Sequence, residues 1–365
     1  MFPRGIDSFL SEDVFLRIPE NKSAQRGARD IILFIPGNPG LLGYYDDFLS
    51  SLSVFSPLKD FLIAGFSLGG FDVSASAHSE AIRGLQYPPD SPNGPIYGLR
   101  DQVDLTYRRV DALVSSLRQA ESRNDGAVRV ILIGHSVGAY IALEVIRRLH
   151  EERSKVVRGS NASSAYIVSG AILLTPTVID IAKSSYGRIV TPLLTYAPFL
   201  DNMTQWAVWG LLKTLPSSTL EGLVGKLTGM RGEKLQTTLR WLSSERGVKQ
   251  TIFMGGQEMR EIGSDTWGEE VWGADGNIEG EVGEEGWRVP RLVLYFAQKD
   301  YWIDNATRDE IVKARGKMKE QEVEGKSWPR IEIEESGRLV HGWCIEQSKE
   351  VAEKAQKSIQ EITGR

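Results

Sequence analysis

The chain has 365 residues, 41% of them apolar and 25% charged, a balance that excludes general disorder and supplies ample material for a buried core. With 43 Lys and Arg against 48 Asp and Glu the formal net charge is −5, and no basic block is present to follow a phosphate backbone, so nucleic acid is not expected as a partner. Cys344 is the only cysteine, and His78, His135, His150 and His341 are scattered without ligand spacing; no intramolecular disulfide, metal site or cofactor site is expected.

The length suits one large α/β domain with an inserted lid. Met1 to Asp7 carries charge and proline where a signal peptide needs an apolar run, so secretion is not expected. Val14 to Ile18 and Ile31 to Ile35 are β-branched or aromatic runs and predict strands; the second stops at Pro36-Gly37-Asn38-Pro39-Gly40, which continues neither a strand nor a helix. Phe61 to Ala64, Val128 to Ile133, Tyr166 to Leu174, Leu292 to Phe296 and Arg330 to Ile333 predict further strands, several of them continuously apolar, as central strands covered on both faces are. Between strands, Val137, Ile141, Val145 and Leu149 recur at spacing four with Ala142 and Ile146 widening the stripe, and Ala352, Ala355, Ile359 and Ile362 repeat the pattern near the C-terminus. Alternation of this kind predicts a doubly wound, mostly parallel sheet.

Two stretches read as loops: the turn-rich Pro88 to Pro95, and Gly263 to Gly286, which is acidic, rich in glycine and expected to be a solvated insertion without chemistry. From Thr177 to Glu261 the strand signal gives way to helices with tryptophans. The expected division is therefore a core over residues 1–176 and 287–365, a helical lid over 177–262 and the insertion over 263–286.

The pattern G-x-S-x-G occurs twice, at Gly65-Phe66-Ser67-Leu68-Gly69 and at Gly134-His135-Ser136-Val137-Gly138. A nucleophile elbow needs a buried strand, a turn so tight that its flanks must be small, and an immediate helix whose N-terminus faces the reacting oxygen. Ser136 meets all three conditions. Ser67 is followed by Gly69-Gly70, which discourages a helix, and reads as loop structure. A serine hydroxyl needs a base held in turn by a carboxylate, and in the α/β-hydrolase fold the chain order is Ser, acid, His. His341 follows the late strands and is the expected base. His150, placed at a helix C-terminus, is read as a dipole-favoured surface group, and His78 as a loop residue. Asp300, just past the strand ending at Phe296, is the preferred acid, with Asp304 the alternative. For the oxyanion, the backbone N–H of Val137 is one expected donor; the second comes from the Gly37–Gly40 turn, where Pro39 has no N–H and Asn38 is preferred.

Ile35-Pro36-Gly37-Asn38-Pro39-Gly40 followed by Tyr44-Tyr45, together with Ile133 to Gly138, resembles the oxyanion loop and elbow of the lipid droplet-associated hydrolases. Tyr97-Gly98-Leu99 with Gln102, Thr175-Pro176-Thr177, Gly187-Arg188-Ile189 with Thr191-Pro192-Leu193-Leu194, and Gly255-Gly256-Gln257-Glu258-Met259 carry the resemblance further, from about Ile31 to His341. The resemblance implies an α/β-hydrolase fold and a Ser136, Asp300, His341 triad. It also implies neutral-lipid esters such as sterol esters or acylglycerols as substrates, and residence at the lipid droplet surface on its cytosolic face, with the endoplasmic reticulum membrane as a second site. Phe66 to Gly70 departs from the family in lacking histidines, and Gly263 to Gly286 is foreign to it.

Three functional classes follow: a lipid ester hydrolase, a droplet-surface organising protein with little turnover, and a soluble small-molecule esterase or acyltransferase. Ile189 to Leu212 contains one charged residue, Asp201, and is interrupted by Pro192 and Pro198, so it does not form the ~20-residue helix needed to span a bilayer. Its Leu193, Leu194, Phe199, Trp206, Trp209, Leu211 and Leu212 are expected to enter one leaflet of a lipid monolayer as a short hairpin.

Overall fold

The computed structural model describes residues 8–18, 30–71, 96–120, 128–157, 166–196, 200–244, 246–273, 289–316 and 329–364. Among them eight strands form one sheet: β1 (Ser8–Leu10), β2 (Val14–Arg17), β3 (Asp30–Ile35), β4 (Phe61–Phe66), β5 (Val128–His135), β6 (Tyr166–Leu174), β7 (Arg291–Phe296) and β8 (Arg330–Ile333). Their order is β1-β2-β4-β3-β5-β6-β7-β8, with β1 and β2 antiparallel at one edge and every pair from β4 to β8 parallel. Each residue of β3 and β4 is buried, which is why Ile31 to Ile35 and Phe61 to Phe66 are continuously apolar or glycine rather than alternating. The helix over Val137–Val157 packs on β5 and β6, and the C-terminal helix over Ser348–Thr363 packs on β6 and the helix over Asp46–Ser53. The stripes anticipated for both long helices face inward, Ile141, Ala142, Val145 and Ile146 on the first and Ala352, Ala355 and Ile359 on the second being fully buried.

Strand order reverses between β3 and β5: the chain leaves β3 toward β4 and returns to β5 on the far side. In an open α/β sheet the loops beyond the strand ends diverge at such a point and leave a crevice. Ile35 pairs with Gly134, so the Pro36–Gly40 turn and the Ser136 turn emerge side by side at that crevice.

Three features differ from the sequence reading. The short edge strand β1 has no counterpart in it. Pro192 lies inside the helix over Gly187–Tyr196 rather than ending it. Most instructive is the start of the expected solvated insertion. Trp267, Val271 and Trp272 are buried, the Trp267 indole donates to Glu144 (2.8 Å), and Arg315 pairs with Asp265 (2.9 Å) and Glu269 (3.1 Å) while its guanidinium lies over the Trp272 ring. Trp267, Val271 and Trp272 thus anchor residues 263–273 to the core, with Arg315, 50 positions beyond Asp265, pairing with the acidic side chains. The remainder of that stretch, with the Pro88 to Pro95 loop, His78 and Phe199, lies outside the described residues. From Thr177 to Glu261 the described residues hold five α-helices, over Gly187–Tyr196, Leu200–Thr214, Ser217–Thr228, Gly232–Ser243 and Gly247–Glu261, and no strand.

Candidate active site

Strand β5 delivers Ser136 on a turn that only small neighbours permit. Ser136 has φ 53°, a left-handed conformation costly for a side chain with a Cβ and sustained here by its surroundings. A Cβ on Gly134 would strike the main chain of Gly138, and one on Gly138 would strike the carbonyl of Ile35. Both glycines are therefore required by contact. The helix begins at Val137, so the Val137 N–H is among the first-turn donors with no intrahelical acceptor.

The Ser136 hydroxyl lies 2.9 Å from His341 Nε2, and His341 Nδ1 lies 2.8 Å from Asp300 Oδ2. The carboxylate accepts only, so Nδ1 carries the ring proton and Nε2 is left to accept from the serine. The other oxygen of Asp300 accepts the N–H of Trp302 (2.8 Å), and the carboxylate is almost wholly buried. The structure therefore brings Ser136, His341 and Asp300 into one hydrogen-bonded chain. Asp304 stands elsewhere: it caps the helix over Asn305–Arg315, accepting from Ala306 N–H (2.9 Å), and faces Arg188 (3.5 Å).

The Gly37 turn packs directly on the elbow, since a Cβ on Gly37 would come 3.0 Å from both Ser136 Cβ and His135 Nδ1. The Gly37 N–H is already taken, donating to the Tyr45 hydroxyl (3.1 Å). Of the other residues in the turn that carry an N–H, Asn38 lines the same cavity as Ser136. The Asn38 side chain is anchored on the other side, its Nδ2 donating to Thr251 O (3.1 Å) and Glu258 Oε1 (2.8 Å).

Sequence reasoning missed a second polar chain behind the first. His135 Nε2 is 2.9 Å from the carbonyl of His341 and must donate to it; His135 Nδ1 then accepts from the Tyr45 hydroxyl (2.7 Å), which in turn accepts from Gly37. Burial, with His341 nearby, pushes the His135 pKa down to about 3, so this ring is neutral. Elbow, oxyanion turn and base loop are joined by one buried tyrosine and one buried histidine. The adjacent Tyr44-Tyr45 was the available signal, legible only as part of a family pattern.

Ser67 is buried in a structural role: its hydroxyl donates to Asp13 Oδ1 (2.9 Å) and accepts from Leu42 N–H (3.1 Å). His150 does not end a helix, because the elbow helix runs on to Val157. The dipole reading of His150 is therefore corrected.

Above Ser136 opens a cavity of about 690 Å³. Val190, Leu193, Leu194, Ile252, Met259 and Trp302 supply apolar walls, and no Lys, Arg or Asp lines it among the described residues. Glu258 is the one carboxyl on its wall; it is 4% exposed, and burial, partly offset by the Asn38 hydrogen bond, pushes its pKa up to about 8. The motifs around residues 97–102 and 255–259 form the joint beside this cavity: Gln250 bonds both N–H and carbonyl of Tyr97 (2.9 and 2.7 Å), Gln257 accepts from Leu99 N–H (2.6 Å), and Gln102 bonds both main-chain groups of Gly69.

A family model described as lipid-droplet associated hydrolase matches residues 28–344. A mouse lipid droplet-associated hydrolase is 26% identical over 328 residues, covering 89% of this chain and 82% of that protein. A chicken protein of the same name is 27% identical over 286 residues, covering 78% and 74%. Among solved structures, the yeast (Saccharomyces cerevisiae) peroxisomal alpha-beta-hydrolase Lpx1 superposes with a TM-score of 0.52 at 13% identity, over 100% of this chain and 87% of that one, a likeness of fold.

Proposed function

This chain belongs to the lipid-droplet associated hydrolase family and has the α/β-hydrolase fold, and from that premise we propose that it is a serine ester hydrolase acting on uncharged lipid esters, sterol esters or acylglycerols, at the droplet surface. The observation that carries the reading is the Asp300–His341–Ser136 chain at the floor of an apolar cavity. His341 Nε2 takes the Ser136 proton as Oγ attacks the ester carbonyl, and the oxyanion is received by the N–H groups of Val137 and Asn38, each such donor being worth ~2.7–4 kcal/mol in the transition state. Collapse expels the alcohol, protonated by the imidazolium. Water activated by the same ring then attacks the acyl-enzyme and releases the acid. Asp300 holds the tautomer and stabilises the imidazolium. A wall without Lys or Arg suits an uncharged head group rather than a phosphorylated one.

The same reading assigns the lid to the droplet surface. Ile189, Leu193 and Tyr196 on one helix are 68%, 54% and 85% exposed, and Met203, Trp206 and Leu211 on the next are 57%, 72% and 52% exposed. Leu194 and Leu212 are half-buried, Leu194 lining the cavity, so they do not belong to the exposed set; the Trp209 side chain lies outside the described residues. No helix among the described residues is long and apolar enough to cross a membrane. Entry of large apolar side chains into one leaflet is worth ~1.5–3 kcal/mol each, so four or five suffice for stable attachment.

The test is turnover of a panel of sterol esters, acylglycerols, phospholipids and short-chain esters by purified protein beside Ser136→Ala, with fluorophosphonate labelling mapped by peptide sequencing. Hydrolysis of uncharged lipid esters lost in the variant, with the adduct on Ser136, is expected. Turnover that survives Ser136→Ala, or an adduct on Ser67, overturns the assignment. Flotation with artificial droplets against bilayer vesicles of endoplasmic-reticulum composition separates monolayer docking from general membrane binding.

A further inference from the structure

We propose that Glu258 is a positioning residue for the oxyanion donor, holding the Gly37–Asn38 turn against the elbow from the lid side so that the Asn38 backbone N–H is aimed at the developing oxyanion. The inference rests on the serine-hydrolase reading above and adds to it a residue far from the triad in sequence and outside the reacting atoms.

The helix over Gly247–Glu261 presents two faces, each defined by a pair seven residues apart. Gln250 and Gln257 fasten it to the main chain of Tyr97 and Leu99 in the core. Thr251 and Glu258, one position on in each case, both accept from Asn38 Nδ2, at 3.1 and 2.8 Å. Residues i and i+7 lie almost above one another on an α-helix, so the two faces form a rigid bracket between core loop and oxyanion turn. A Cβ on Gly255 would stand 3.6 Å from Asn38 Nδ2, an ordinary contact, so this face of the helix lies directly against the amide.

The choice of a carboxyl is the part that needs explaining. Glu258 is buried on an apolar wall, and its side chain accepts a hydrogen bond from the Asn38 amide. Across the cavity stand His341, His135, Tyr44, Tyr45 and Cys344, with no Lys or Arg among the described residues. Arg260, on the same helix, lines a separate polar groove with Glu144 and Glu261. A buried carboxyl without a cation is a poor contributor to stability, and a well-packed apolar residue of equal volume is often as good or better. As a neutral acid, however, it offers Oε1 to Asn38 without placing charge beside the oxyanion. Since burial pushes its pKa up to about 8, the neutral form prevails at pH 7 and ionisation above pH 8 sets an anion against the one forming in the transition state.

Glu258→Met and Glu258→Gln of the full chain test this together with wild type, using a soluble p-nitrophenyl ester from pH 6 to pH 10. Loss of the acceptor in Glu258→Met is expected to lower kcat about 10–100-fold with KM changed less than about threefold, a fraction of the effect of deleting a donor outright. Glu258→Gln keeps the acceptor oxygen and is expected to recover most of that kcat, while abolishing the fall in wild-type kcat centred near pH 8. A crystal structure of Glu258→Met is expected to show the Asn38 main chain displaced from Ser136. An Asn38 turn unmoved in that structure overturns the proposal whether or not the ester is turned over; so does a rise in KM alone, or a Gln variant as slow as Met. Wild type inert toward every ester, with the turn displaced in Glu258→Met, instead refutes the hydrolase reading and leaves the bracket standing.

Discussion

The elbow helix and the first lid helix carry the same apolar pattern and meet opposite fates. On the elbow helix Ile141, Val145 and Leu149, at spacing four, are at most 5% exposed, pressed on β5 and β6. On the helix over Gly187–Tyr196 the residues Ile189, Leu193 and Tyr196, at spacings of four and three, are all more than half exposed. Periodicity establishes that a helix has an apolar face, and says nothing of what covers it. A covered face positions chemistry; the open one is where the proposed droplet contact falls. The two helices are joined functionally by the cavity, whose floor is Ser136 at the head of the first and whose wall includes Val190, Leu193 and Leu194 of the second.

The largest effects belong to the covered side. Ser136→Ala or His341→Ala is expected to lower kcat by ~10⁴–10⁶, and the double variant to be little slower than either single, because residues acting as a unit are not additive. Steady-state kinetics on a soluble ester measures this; additive losses would dissolve the proposed chain. Asp300→Asn removes the carboxylate that sets the tautomer and is expected to cost ~10⁴ in kcat, whereas Asp304→Asn, at a helix N-cap, is expected to leave kcat within about threefold. Reversal of that ranking moves the acid to Asp304.

The open side yields the next effect. Replacing Ile189, Tyr196, Trp206 and Leu211 together by Ser or Gln, at about 1.5 kcal/mol or more each, is expected to reduce partition onto artificial droplets by at least ~10³-fold while turnover of a dispersed short-chain ester continues. Undiminished flotation at equal helix content by circular dichroism would make these side chains ordinary surface and erase the contrast between the two helices.

The smallest effect sharpens the contrast between the two G-x-S-x-G patterns. Ser67→Ala removes the buried hydroxyl that donates to Asp13 and accepts from the Leu42 N–H and is expected to cost about 1–3 kcal/mol of stability, read by urea denaturation, with kcat per folded molecule unchanged. A catalytic loss matching that of Ser136→Ala would show that the two serines had been assigned the wrong way round.

Seven of the eight strands were legible because continuous apolar runs between turn residues have few other readings, and Ser136, His341 and Asp300 were placed by their neighbourhood and chain order. Beyond the short strand β1 and Pro192, what escaped shares one physical cause, dependence on partners distant in sequence. The burial of Trp267 and Trp272 needs Glu144 and Arg315, which composition-based reading of an acidic, glycine-rich stretch does not see. The link from Asn38 to Glu258 crosses 220 positions. The ring of His135, given no role from the sequence, ties the nucleophile turn to the main chain of His341. Local periodicity carries the elements, and polar side chains that reach across the fold carry the alignment between them.

The bond between Ser136 and His341 spans 205 positions, and this separation has a meaning in the time domain of synthesis. A ribosome adding roughly 5–20 residues per second needs about 10–40 s to travel from the serine codon to the histidine codon. Through that interval the elbow is complete and its proton acceptor does not exist. On the proposed mechanism, a nascent chain that touches lipid before His341 has been made is therefore an unarmed one.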